Sequence, residues 1–103
     1  MTNKESANKA LKELENLGCM IFNMSSNRHM PTGMIGFPDH LVISKSGYLI
    51  FIEDKFGNDK LNDKQRDVQC IIDKCSANND MVLYYINTGN IQEIVNDIID
   101  YIN

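Results

Sequence analysis

Between Asn3 and Leu17 the apolar residues Ala7, Ala10, Leu11, Leu14 and Leu17 recur at spacings of three and four, and Gly18 follows. That period predicts an amphipathic helix closed by a glycine C-cap. Cys19 to Met24 is a short run of large apolar side chains between polar residues, which predicts a first strand. From Ser25 to Phe37 no period survives and Pro31, Gly33 and Gly36 intervene. This is a loop, and its length for a small domain points toward function. His40 to Ser44 and Tyr48 to Lys55 are β-rich runs joined by Lys45, Ser46 and Gly47, a three-residue hairpin loop with glycine where left-handed backbone is needed. After a loop at Gly57 to Asp59, Asn62 is placed to cap a helix carrying Val68, Ile71, Ile72 and Cys75 on one stripe. Met81 to Ile86 reads as a strand apolar on both faces. A last helix follows Asn90, with Ile91, Ile94, Val95, Ile98, Ile99 and Ile102 as a stripe that serves either the core or a dimer surface. The order is α-β-β-β-α-β-α, an α/β arrangement without internal repeats.

Length and composition narrow this picture. The 103 residues, 43% of them hydrophobic, fit one domain with a single core, residues 1–103. No apolar run approaches the roughly 20 residues of a membrane helix, and Met1 to Ala10 is polar, so the expected location is intracellular, with no membrane contact. Cys19, Cys70 and Cys75 lack ligand or CxxC spacing and lie in regular apolar segments, which predicts buried, reduced thiols. The net charge of -4 argues against a polyanionic partner, but its distribution softens the objection. All ten basic residues lie at or before Lys74, balanced there by ten acids, so Asp80, Glu93, Asp97 and Asp100 supply the excess. That acidic end can face away from a nucleic acid.

The hairpin carries the chemistry. With its loop centred on Ser46, Ser44 pairs with Tyr48, Val42 with Ile50, Leu41 with Phe51, and Asp39 with Glu53. Opposed side chains on neighbouring strands have Cβ atoms about 4.5–5.5 Å apart, where like charges repel. A divalent cation compensates such a pair: Mg²⁺ takes carboxylate oxygens at about 2.0–2.1 Å, keeps several waters and accepts phosphate oxygens. Strand alternation puts Lys55 on the face of Glu53 and turns Asp54 to the other, leaving the Asp54 carbonyl as a further neutral ligand. An ammonium beside a hydrated cation suits phosphodiester hydrolysis, because it orients the attacking water and stabilises charge developing on the phosphoryl oxygens. Read singly, Glu53 and Lys55 also fit a surface pair, and Asp39 after Pro38 a turn. Together they end the apolar run Tyr48 to Ile52, a poor place for three charges without purpose.

Gly36-Phe37-Pro38-Asp39, the hairpin, Ile52-Glu53-Asp54-Lys55, and then Leu61 and Gln65 at a helix start resemble the PD-(D/E)XK nuclease superfamily, and within it the VRR-NUC (virus-type replication-repair nuclease) family. The resemblance spans about Gly18 to Cys75, and the element order extends it over most of the chain. It implies a restriction-endonuclease-like core, α-β-β-β-α-β plus a C-terminal helix, with a mixed central sheet flanked by helices. It implies Asp39 and Glu53 as ligands of Mg²⁺ or Mn²⁺, Lys55 as catalytic lysine, and Gln65 reaching into the site from the second helix. Gln65 also lies three residues after Asn62, where a capping box would use it, and both uses are open. The family often carries an acid early in the first helix. Glu5 falls about 180° from the inward stripe and with Thr2 forms a capping-box spacing, so that position stays unassigned. Asp54 departs from the small or apolar residue expected there.

Arg28 and His29 are candidate phosphate or proton-transfer groups, or a solvated loop pair. Lys60 and Lys64 are candidate backbone contacts, or with Asp59 and Asp63 a solvated face. The resemblance implies a magnesium-dependent endonuclease for structured DNA, four-way (Holliday) junctions above all, acting as a homodimer in DNA repair in a bacterium, phage or virus-infected cell. The alternatives are a nuclease for flaps, other DNA or RNA, or a non-catalytic nucleic-acid-binding module.

Overall fold

The computed structural model describes residues 3–24, 36–58 and 60–103. Helix α1 spans Asn3–Asn16, strand β1 Met20–Asn23, β2 His40–Ile43, β3 Leu49–Asp54, helix α2 Asp63–Asn78, β4 Val82–Asn87 and α3 Ile91–Ile102. Each predicted element is present, with ends shifted by a residue or so. Thr2, and with it the suggested capping box to Glu5, lies outside the described residues, as does most of the loop from Ser25 to Phe37. Among the described residues no helix is long and apolar enough to cross a membrane.

Among the described residues the strands form one sheet in the order β1-β2-β3-β4, antiparallel except for the parallel pair β3 and β4, which α2 connects. The β2–β3 register is the predicted one: Val42 faces Ile50, Leu41 faces Phe51 and His40 faces Ile52. Gly47 makes this possible at φ +99°, and its N–H closes the loop on the Ser44 carbonyl at 3.1 Å.

Alternation divides the sheet into two faces. Val42, Ile50 and Ile52 point to one, where Ala7, Leu11 and Leu14 of α1 and Ile91, Ile94, Val95 and Ile98 of α3 bury them in the core. The α3 stripe is therefore core. Leu49, Phe51 and Val82 point to the other face, under Val68 and Ile72 of α2, where an apolar recess of about 300 Å³ remains. Only Ile72 of the predicted α2 stripe is buried, and Ile71 is 62% exposed. The thiol prediction is corrected accordingly: Cys19 is buried but Cys70 and Cys75 are exposed, because among the described residues α2 alone packs on this face of the sheet. A second correction concerns β4. Among the described residues it is an edge strand, paired with β3 alone, and its apolar residues are half-buried.

Candidate active site

Three contacts place Asp39 at the end of β2. Gly36, at φ +90°, lies against the start of α2, where an added Cβ would sit 2.6 Å from Lys64 Cγ and 3.0 Å from the Lys64 carbonyl carbon. Phe37 packs edge-on against Phe51, with ring centroids 5.9 Å apart. Pro38 is fully buried. Asp39 follows at once, and its Oδ2 accepts the backbone N–H of Asp54 at 2.7 Å.

The next row beyond His40 and Ile52 sets Asp39 opposite Glu53, on the face covered by α2. Glu53 is buried, 2% exposed. Burial above all, then the charge of Asp39 and a hydrogen bond with its side chain, push the Glu53 carboxyl from 4.5 up to about 8, while the Lys55 ammonium pulls it back and Asp54 adds to the rise. Its surroundings thus favour the protonated form of Glu53. The same influence puts Lys55 within electrostatic reach of Glu53, and the Lys55 N–H donates to the Asn87 carbonyl at 2.9 Å, carrying the strand one residue past its formal end.

Gln65 performs both tasks left open for it. Its backbone N–H donates to Asn62 Oδ1 at 2.8 Å and its Oε1 accepts the Asn62 N–H at 3.0 Å, a complete capping box. Its Nε2 donates to Glu53 Oε1 at 2.9 Å. The cap fixes the amide orientation: with the oxygen committed to the Asn62 N–H, the amino group must face the carboxyl. One side chain thus ties the start of α2 to the acid pair.

The donor set suits a hard divalent cation. Among the described residues no group of three or more His, Cys, Asp or Glu is gathered for a metal. Two carboxylates with a backbone carbonyl are what Mg²⁺ uses when it keeps several waters. The Asp54 carbonyl qualifies, because a strand residue directs its N–H and carbonyl to the same neighbour, here toward Asp39.

No family model and no curated protein matches the chain. A solved structure described as a VRR_NUC domain matches over 100% of this chain and 100% of its own, at 23% identity and a TM-score of 0.67. The chain has the fold of a VRR_NUC domain. Within that fold Asp39, Glu53 and Gln65 are brought together, with Lys55 on the same face.

Lys60 and Lys64 are both exposed beside the α2 start, and Arg28 and His29 lie outside the described residues. Two features escaped the sequence. Tyr84 stands in the row of Phe51 on the site's face, and burial, followed by the charges of Glu53, Asp73 and Asp39, pushes its phenol up to about 12. It is a neutral hydroxyl near the acids. The second feature is polar and lies behind the site: His40, Asn23 and Asn87 gather around the Asp54 carboxylate.

Proposed function

We propose that the chain is a divalent-metal-dependent endonuclease that hydrolyses phosphodiester bonds in structured DNA, with four-way junctions as the preferred substrate. The observation that carries this reading is the buried Glu53 carboxyl set against Asp39 and bonded by Gln65, a pair whose second charge a bound cation would compensate. Asp39, Glu53 and the Asp54 carbonyl are the residues that would hold Mg²⁺ or Mn²⁺. When bound, such an ion supplies an acidified water and neutralises charge on the phosphoryl oxygens.

The chain's own groups do the rest. Lys55 presents an ammonium on the face of Glu53, where it orients the attacking water and stabilises negative charge as the phosphorus–oxygen bond to the leaving strand breaks. Gln65 keeps the Glu53 oxygen in place against the helix start. Lys60 and Lys64 contact the DNA backbone at the exposed α2 start, and Arg28 and His29 contribute from the preceding segment. The excess of acid beyond Lys74 leaves modest affinity for generic duplex, so branched DNA engaged by two copies of the chain is the favoured substrate class.

The test incubates the protein with labelled four-way junction, flap, single-stranded and linear duplex DNA in Mg²⁺, Mn²⁺ or EDTA. Cleavage that needs a metal, is strongest on the junction, and disappears in Asp39→Ala and Glu53→Ala is expected. No metal-dependent cutting of any substrate, or equal cutting by those variants, sinks the nuclease; cutting of flaps or RNA instead redirects only the substrate.

A further inference from the structure

Asp54 is the residue between Glu53 and Lys55, and its side chain projects from the opposite, core face of the sheet. There it meets His40, whose side chain is completely buried. An imidazole in that place is unexpected on packing grounds: Val42, Ile50 and Ile52 around it on the same face are all apolar and fully buried. Its cost is offset by full pairing. His40 Nε2 donates to Asp54 Oδ2 at 2.7 Å, and Nδ1 lies 2.7 Å from Asn23 Oδ1. The other Asp54 oxygen accepts Asn87 Nδ2 at 3.0 Å. Each carboxylate oxygen thus has its own donor, from β2 on one side and β4 on the other, which fixes the plane and rotamer of the Asp54 side chain.

The same residue is held from the front by its backbone. Its N–H donates to Asp39 Oδ2 at 2.7 Å, and the Asn87 carbonyl accepts the following N–H, of Lys55, at 2.9 Å. Asp54 is therefore gripped behind by its side chain and engages the acid pair in front by its peptide group.

We propose that His40, with Asn23 and Asn87, is a positioning clamp: by fixing the Asp54 carboxylate on one face it sets the Asp54 peptide on the other, so that its N–H aims Asp39 and its carbonyl faces the cation. The inference rests on the metal-dependent reading of the site. His40 touches neither substrate nor cation; it acts through Asp54, as the outer partners of metal ligands do. A purely structural role would make His40 matter for stability alone. A positioning role makes it matter for cation affinity beyond any loss of stability.

The experiment is calorimetric titration of the apoprotein with Mn²⁺ at fixed pH, with thermal melts of each variant alongside. Wild type is expected to bind and Asp39→Asn to bind far more weakly. His40→Leu, which removes both ring contacts, is expected to weaken Mn²⁺ binding by about tenfold or more, the range typical of outer-shell partners. His40→Gln returns a donor at the position of Nε2 and is expected to recover most of that loss. Asn23→Ala, at an exposed residue on the edge strand, loosens the ring without emptying the core and gives a smaller loss in a variant that folds. Val42→Ala removes apolar volume two residues along the same strand face and is expected to lower the melting temperature while leaving Mn²⁺ affinity in place. Wild-type affinity in His40→Leu and Asn23→Ala, or an equal loss in Val42→Ala, would overturn the clamp and leave the metal site standing. Absence of Mn²⁺ binding by wild type would overturn both.

Discussion

Glu53→Gln is expected to stabilise the apoprotein, and to do so only above acid pH. Burial and the neighbouring Asp39 raise the Glu53 carboxyl from 4.5 to about 8 in the folded chain. A folded-state value above the unfolded one means that the native state holds the proton more tightly. The stability it contributes is complete below about pH 4.5 and is lost as pH climbs through about 8. From pH 5 to pH 8 nearly three units of that window are crossed. At 1.36 kcal/mol per unit, rounded at the ends, the loss is about 3 kcal/mol, a large share of the roughly 5–15 kcal/mol that holds a domain together. Glutamine mimics the protonated acid. Its carbonyl still accepts from Gln65 and its amino group can donate to Asp39, but it cannot ionise. Urea denaturation in EDTA across pH 5–9 is the assay. Wild type and variant should be close at pH 5, with the variant ahead by about 3 kcal/mol at pH 8, and Mn²⁺ should restore the wild type. Parallel stability curves for the two proteins would show that Glu53 ionises freely in the folded chain and would refute the reasoning.

Lys55→Met is expected to lower cleavage by about 10²-fold or more while leaving Mn²⁺ affinity within a few-fold of wild type, read by single-turnover kinetics and calorimetry. Gln65→Ala removes half of a capping box and the donor to Glu53 together; a loss of about 1 kcal/mol by urea denaturation is expected, with slower cleavage at saturating metal. Gly36→Ala places a Cβ 2.6 Å from Lys64 Cγ at a φ of +90°, and is expected to cost about 2 kcal/mol in a thermal melt and to weaken Mn²⁺ binding, because the segment that sets Asp39 must move off α2.

The hairpin was readable because everything that fixes it is local. Gly47 sets the loop, the loop sets the register, and the register sets Asp39 against Glu53. Alternation alone also turned Asp54 away from Glu53 and Lys55. What Asp54 meets there was not readable, since Asn87 is 33 residues away and reaches it only through the parallel pairing of β3 with β4. Periodicity gives the face on which a side chain lies but not the strand that will be its neighbour. The misplaced thiols have the same origin. The stripe of Val68, Ile71, Ile72 and Cys75 is apolar, but how deeply it is buried depends on how many layers cover that side of the sheet, and here a single helix leaves Ile71 and Cys75 outside. Gln65 exposed a false choice: an amide has two ends, and the cap uses one while the acid pair uses the other.

The end of β3 is finished on one face and unfinished on the other. Behind, both oxygens of the Asp54 carboxylate are paired and the ring that holds them is itself held, so this part of the backbone has little freedom left. In front, Glu53 and Asp39 repel, and Lys55 compensates only in part. A rigid frame around such a pair cannot relax by moving the acids apart, so it takes up positive charge instead, a proton at low pH or a cation above it. Of the loss of about 3 kcal/mol between pH 5 and 8, the part that comes from the charge of Asp39, second to burial among its causes, is free energy that a cation recovers on binding, and at 1.4 kcal/mol per factor of ten the whole of it sets a ceiling of about 10²-fold in affinity. Neutralising the pair has a second effect. It makes the site less negative toward an approaching phosphate, in a chain whose excess of acid lies beyond Lys74. Cation and DNA backbone should therefore bind with positive coupling, each raising the affinity for the other by the same factor. Mn²⁺ titrations with and without an Asp39-intact, cleavage-dead Lys55→Met complex on a four-way junction measure that factor directly, and a value of one would mean that the acid pair and the DNA surface are electrostatically separate.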